Sequence, residues 1–480
     1  MSKIKRVRTA PTADCIVPEV SEYDLDAPEL YLNRELTWLS FNWRVLEEAK
    51  DIRNPLLERW RYLVIVGSNL DEFTMKRIGG LQLTHESNPN SATVDGRSPL
   101  EQIYECNLET ELMRSQWREL FDELNKALRL RGIGLVHHKT LSKPQANWLR
   151  EHYLENIFPL ITPQATGPAH SFPFISNLSI NLLVTVIADG KPSYIRITAP
   201  IGSDVPSVVR IDKSDFFVPI EEIIAANLDL LFPDHCVARC DSFRVIRNAN
   251  TGRDVDEVKD LVAVIESELK NRQFADAVQL EVSRGMPQGL RRMLARELNL
   301  LDKSSVIEVL SPLFRNGFMR LHDCFAPKLK YKPHIPVTPK VIGRSIVASI
   351  RENGSLLVHH PYDSFETTVL AFLKEAAQDP QVKAIKMSLY RTDRESRIIG
   401  YLAEAARNGK QVAVAVELKA RFDEAANIRW ARRLEQEGIH VTYGVLGLKT
   451  HCKTILVVRM DRESSPIARR PLIADGHRCR

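Results

Sequence analysis

The chain has 480 residues, 44% hydrophobic and 26% charged, a balance that suits a globular protein with several cores and excludes a disordered polyelectrolyte. Lys and Arg number 66 against 61 acidic residues, and a net charge of +5 is too mild to argue for a polyanionic partner; only local clustering of arginine can do that. The cysteines at 15, 106, 236, 240, 324, 452 and 479 lack paired spacing, and His235-Cys236-x3-Cys240 has no partner pair, so reduced thiols of a cytoplasmic protein are expected. No apolar run approaches the ~20 residues of a membrane span. The basic N-terminus has no apolar segment of a secretory signal, and peripheral membrane contact stays open.

Residues 1–28 are polar and punctuated by Pro11, Pro18 and Pro28, which predicts a loose tail. Asn54-Pro55 is a capping pair for a helix carrying Leu56, Trp60, Leu63 and Val64 on one face. Gly67-Ser68 predicts a break, Ser68-Asn69-Leu70-Asp71 a restart with a capping box, and Gly79-Gly80 a stop. Residues 85–97 read as a loop. Ser98-Pro99-Leu100-Glu101 then opens one long amphipathic helix reaching Gly132. Residues 29–133 are therefore expected to form a helical N-terminal domain.

Residues 134–338 are mixed and read as an α+β domain. Strands are expected at 180–186 and 194–197, and helices near 220–231, 287–299 and 303–314. The segment Lys328 to Pro339, with Pro333, Pro336 and Pro339, reads as a linker. Beyond it the rhythm is clear: strand 384–390, helix 395–408, strand 412–418, helix 423–436, strand 439–443, then a strand running from His451 through Thr454-Ile455-Leu456-Val457-Val458. Such alternation predicts a mostly parallel sheet covered by helices, with ligands at the carboxyl ends of its strands.

Those ends carry unusual chemistry. On a strand, His451 and Lys453 share one face. An imidazole beside a fixed ammonium suits attack on phosphorus, with the cation steadying phosphoryl oxygens. Arg391 and Arg421 follow neighbouring strands, and guanidinium groups there match phosphate oxygens bidentately. His359 and His360, ahead of a helix capped by Ser364, fit either loop anchoring or phosphate contact.

At this point the chain resembles the bacterial polyphosphate kinases of the phosphohistidine type. The matching motifs are Tyr31 to Asn42, Ser68 to Phe73, His359 to Phe365, Leu389-Tyr390-Arg391, Ala420 to Ile428 and Gly447 to Lys453. The resemblance implies an N-terminal helical domain (29–133), a central α+β head domain (134–338) and a phospholipase D-like α/β domain (339–460) whose second, related copy is missing. It also implies reversible transfer of the ATP γ-phosphate to inorganic polyphosphate, homo-oligomers, and no nucleic-acid partner. His451 matches the histidine that becomes phosphorylated, with Lys453 beside it, and Asn69 matches an asparagine that contacts the nucleotide. Arg391 and Arg421 match arginines assigned to a Mg2+ site. A guanidinium has no lone pair for a metal, so both are expected to hold phosphates that Mg2+ bridges.

One feature separates the chain from hydrolytic phospholipase D enzymes, and another departs from the polyphosphate kinase family. Phospholipase D enzymes place an Asp five residues after the Lys of His-x-Lys, and Val458 stands there, which disfavours a phosphodiesterase. After Met460 the Arg/Pro/Ser-rich residues 461–480 read as a tail foreign to the family, the mark of a truncated product of a shifted reading frame. Loss of half the charge clamp would weaken or abolish turnover, and the alternative reading is a non-catalytic fragment that binds nucleotide or polyanion. Attack needs a neutral imidazole, so any rate should fall below roughly pH 6.5.

Overall fold

The computed structural model describes residues 24–166, 172–188, 190–202, 204–250, 262, 266, 274–300, 305–309, 315–390, 396–417, 424–444, 449–460 and 469–475. Most of the tail expected over 1–28 lies outside them. Four helices open the chain: α1 (Arg34–Lys50), α2 (Leu56–Phe73), α3 (Gly79–Ser87) and α4 (Pro99–Arg129). Asn33 caps α1 by accepting from the amides of Glu35 and Leu36 at 3.0 and 3.1 Å. At the start of α4, Ser98 and Glu101 close a capping box ahead of Pro99, and Met113, Trp117, Leu124 and Leu128 line its buried face.

The glycine punctuation misleads. Helix α2 runs unbroken through Gly67-Ser68, because Gly67 is buried on the face that carries Trp60, Leu63 and Leu70. Packing there outweighs the ~1 kcal/mol that glycine costs a helix. The sequence from Ser68 to Asp71 therefore caps nothing. Asn54 stands one residue short of the cap and donates instead to the Glu48 carbonyl at 2.8 Å. Gly79-Gly80 does not stop the chain either: a π-helical turn, Thr74–Ile78, leads straight into α3.

Gly79 serves a close approach. A Cβ there would lie 2.5 Å from Asn248 Oδ1, and the Asn248 amide donates to the Gly79 carbonyl at 2.8 Å. Asn248 Oδ1 also accepts from the Asn250 amide at 2.8 Å, so it cannot swing away freely. Gly79→Ala should destabilise the protein by ~1–3 kcal/mol through overpacking. A chemical denaturation curve checks this; an unchanged midpoint would contradict it.

The next region builds on β1 (Ile133–Leu135), β2 (Gln164–Thr166), β3 (Ile180–Ala188), β4 (Lys191–Thr198), β5 (Val208–Arg210), β6 (Asp215–Pro219), β7 (Cys236–Arg247), β8 (Ala277–Ser283) and β9 (Val306–Val309). Strands β2-β4-β3-β7-β8-β9 form one sheet and β1-β6-β5 another. Strand β9 corrects the helix expected over 303–314: β-branched Val306, Ile307 and Val309 pair parallel to β8, with Leu280 opposite Val306. Its flanks, 301–304 and 310–314, lie outside the described residues.

This region and the helices share a core. Phe318 and Leu321 are buried in one cluster with Leu39, Leu46, Trp60 and Phe73, and Trp60 donates its indole N–H to the Phe318 carbonyl at 2.8 Å. Arg244 on β7 reaches Asp71 on α2 through two hydrogen bonds of 2.8 and 2.9 Å. It also reaches Glu281 on β8 at 2.6 Å. No helix among the described residues is long and apolar enough to cross a membrane.

The last region contains β10 (Val382–Leu389), β11 (Gln411–Val416), β12 (His440–Thr442), β13 (Thr454–Met460) and β14 (Arg469–Asp475). They lie in the order β12-β11-β10-β13-β14. Helices Arg397–Arg407 and Glu424–Gln436 cross over between β10, β11 and β12, which are parallel. The sheet is nevertheless mixed, not mostly parallel. Strand β13 runs antiparallel to β10, with Ile385 opposite Val457, and β14 antiparallel to β13. Strand β14 falls within residues 461–480, so the stretch expected to be foreign to the family adds a strand to this sheet.

Candidate active site

The reversal of β13 makes the site. The start of an antiparallel strand lies beside the end of its neighbour, so the residues ahead of Thr454 meet the carboxyl end of β10. His451 and Lys453 are not on the strand, as the alternation had suggested; they occupy the extended approach to it. Ser388 near the end of β10 fixes that approach twice. Its hydroxyl donates to the Cys452 carbonyl at 2.7 Å and accepts from the Thr454 amide at 3.0 Å.

Two buried polar residues complete the frame. Glu417, just past β11, accepts from the Thr450 amide at 2.7 Å. The Asn427 amide group donates to the carbonyls of Tyr390 and Glu417 at 3.0 and 2.9 Å, tying the ends of β10 and β11 together. Asn427→Ala would leave both carbonyls short of a donor in a buried place, at a cost of ~1–3 kcal/mol. Thermal unfolding reads this directly, and a shift under 1 °C would contradict it.

Tyr390 is the hub. Its ring meets the His451 imidazole edge-on, with centroids 4.9 Å apart and planes at 76°. Lys453 Nζ stands 4.5 Å from the same ring and Lys449 Nζ 5.4 Å from it. The ring's negative face attracts both ammoniums. Lys453 also donates to the carbonyl of His451. An exposed imidazole thus stands among two ammonium groups held close by a common aromatic surface.

Of the residues singled out from sequence, the fold brings His451 and Lys453 together. Asn69 lies on α2, half-buried, donating to Asn42 Oδ1 at 2.9 Å. Arg391 and Arg421 lie outside the described residues. His360 bonds Thr368 Oγ1 at 3.1 Å, and the His359 amide donates to Asp363 at 2.7 Å, so this loop anchors itself. Burial lowers the His360 pKa, only partly offset by Asp363. Sequence reasoning met Tyr390, Lys449 and Asn427 only inside matching motifs and assigned no site role to them or to Glu417. Tyr390 and Glu417 had a positional signal, each directly following a strand of the alternating segment.

The chemistry of these donors fits anionic oxygens. Ammonium groups and imidazolium donate hydrogen bonds, and among the described residues the Glu417 carboxylate is engaged by a backbone amide. Among the described residues the set does not fit a magnesium ion ligated directly by protein. It suits a metal that arrives already bound to phosphate.

Three family models match the chain in order: polyphosphate kinase N-terminal domain over residues 31–136, middle domain over 144–321, and C-terminal domain 1 over 345–476. The last match overturns the expectation that resemblance ends at Met460. A polyphosphate kinase of Mycolicibacterium gilvum (strain PYR-GCK) is 43% identical over 487 residues, covering 98% of this chain and 64% of the relative. One of Mycobacterium tuberculosis (strain ATCC 25177 / H37Ra) is 42% identical over 467 residues, covering 93% of this chain and 62% of the relative. The crystal structure of polyphosphate kinase from Porphyromonas gingivalis superposes with a TM-score of 0.73 at 28% identity, covering 92% of this chain and 62% of that one. The chain thus spans less than two thirds of the length of each of these proteins. Matched in sequence from the helical region to β14 and in fold by a solved member, it belongs to the bacterial polyphosphate kinase family.

Proposed function

We propose that the protein is an ATP–polyphosphate phosphotransferase that works through a phosphohistidine at His451. The observation that carries this reading is the placement of that imidazole against Tyr390 with Lys449 and Lys453 around the same ring. A neutral imidazole nitrogen attacks the γ-phosphorus, a nitrogen–phosphorus bond forms, and the bond to the bridging oxygen breaks to release ADP. A terminal oxygen of polyphosphate then attacks the same phosphorus and the imidazole regains its lone pair. Little covalent assistance is needed in such a transfer; position and charge stabilisation dominate. Lys453 and Lys449 supply charge at the developing oxyanions, and Arg391 and Arg421 add to it.

A magnesium ion arriving with the nucleotide would supply charge neutralisation at the phosphates. Asn69 is the candidate nucleotide contact. Residues 29–133, 134–338 and 339–460 are on this reading the helical, head and phospholipase D-like domains of a cytoplasmic homo-oligomer, in which ATP, ADP and inorganic polyphosphate are the small-molecule partners. The test is incubation with Mg-ATP labelled at the γ-phosphate. Acid-labile label on the protein, lost on adding polyphosphate, is the expected result. A protein that binds ATP but never takes label would overturn the proposal.

A further inference from the structure

The stretch between the head and the last sheet has a charge pattern that the chemistry at His451 does not use. From Cys324 to Arg351 there is no Asp or Glu, while Lys328, Lys330, Lys332, Lys340, Arg344 and Arg351 all fall there. Lys328, Lys330, Lys332 and Lys340 make no ion pair with a carboxylate among the described residues, and Lys328, Lys332 and Lys340 are exposed. Like charges held this close repel one another unless a polyanion lies over them.

The backbone beneath the lysines is fixed. At one end the Tyr331 amide donates to Glu58 at 3.2 Å and the Tyr331 hydroxyl to Asn54 at 2.5 Å. At the other, the Val337 amide donates to the Tyr362 carbonyl at 3.0 Å, and the Ser364 amide to the Val337 carbonyl at 2.8 Å. His334 bonds the Pro361 carbonyl at 3.2 Å and packs its ring on Tyr362. Lys330 has extended backbone angles, and no helix or strand covers residues 330–336. In an extended chain every second residue recurs at roughly 7 Å on one side. Lys330 and Lys332 can therefore each meet a different charge of one linear anion.

The far end of the segment points to the catalytic region. Thr338 bonds Thr367 at 2.9 Å. Next to it Glu366 pairs at 2.6 Å with Arg397. Arg397 is the first residue of the helix that leaves the carboxyl end of β10. That is the end of the sheet at which Tyr390 and His451 meet.

We propose that residues 328–340 form a track for the polyphosphate chain, leading it toward His451. The proposal rests on the phosphotransfer reading for its ligand, a linear polyanion carrying one charge per phosphate. Single-stranded nucleic acid is the rival with similar charge. It would favour aromatic rings free for stacking, whereas Tyr331, inside the segment, is tethered through its hydroxyl to Asn54 and Tyr362 is engaged by His334 and His359.

The experiment measures binding of fluorescent long-chain polyphosphate, of tripolyphosphate and of an oligonucleotide of equal charge, across a range of salt. It compares the unsubstituted chain with the triple variants K328Q/K330Q/K332Q and K328R/K330R/K332R. The glutamine variant should bind the long chain at least ~10-fold more weakly, with a salt slope shallower by about 2, close to 0.7 per lost phosphate contact. Tripolyphosphate, too short to span the lysines, should lose less, and the arginine variant should restore long-chain affinity. Equal loss for both lengths, an unchanged slope, tighter binding of the oligonucleotide, or no binding of polyphosphate by the unsubstituted chain would overturn the track. Labelling of His451 by ATP is read separately in the unsubstituted chain. Its absence would count against the phosphohistidine and leave the binding result standing.

Discussion

His451→Ala should abolish covalent labelling from ATP and reduce polyphosphate formation at least ~10³-fold, since the nucleophile itself is gone. The neighbouring charges do less each: Lys453→Ala should cost ~10²–10³ in rate, the effect of removing one preorganised donor. The two variants differ in kind. Without Lys453 the adduct still forms, slowly; without His451 no adduct forms at any time. The imidazole must be neutral to attack, so labelling of the unsubstituted chain should slow toward acid pH, where imidazoles protonate. Initial rates of label uptake across that range check both statements, and a flat profile would argue against a histidine nucleophile.

The second large effect is structural. Arg244→Met should destabilise the protein by ~3–5 kcal/mol, because it strands two carboxylates in the interior. The Arg244, Asp71 and Glu281 side chains are 0%, 5% and 0% exposed. Burial alone would lower the guanidinium's pKa, but Asp71 and Glu281 outweigh it and hold the pKa raised. The same triad joins α2 to β7 and β8, so its loss should loosen the helical region from the sheet beside it. Adding Asp71→Asn and Glu281→Gln to the Arg244→Met variant removes the stranded charges and should recover part of the loss. Denaturant midpoints of the single and triple variants measure this. A single variant as stable as the parent would contradict it.

Much of the architecture was legible where local signals agree with long-range packing. Helix α4 declares itself through Ser98-Pro99-Leu100-Glu101 and a long apolar period, and the structure uses every part of that signal. The glycines at 67 and 79 were misread because their reason is not local. One is buried in a helix face, and the other admits Asn248 from a partner 169 residues away. The run from Thr454 to Val458 announced a strand, but not its direction. A parallel connection needs a crossover of about a dozen residues or more, usually helical, and only ten residues lie between Tyr443 and Thr454, with no helix among the described ones. That short link is what turns β13 around and carries His451 to the end of β10. Lys453 could be named from its spacing to His451, whereas Tyr390 could not be named as their common surface until that reversal was known. Glu417 and Asn427 were hidden for a related reason: their partners are backbone groups of other strands, which no motif records.

The account turns on which atom receives the phosphoryl group. His451, Cys452 and Lys453 are consecutive, and nitrogen- or sulfur-bound phosphate is labile in each case, so lability cannot separate them. Peptide mapping by mass spectrometry under mildly alkaline conditions, after brief exposure to Mg-ATP, does. The account predicts one added phosphoryl group on His451; the same mass on Cys452, on Lys453 or on a histidine elsewhere in the chain would contradict it.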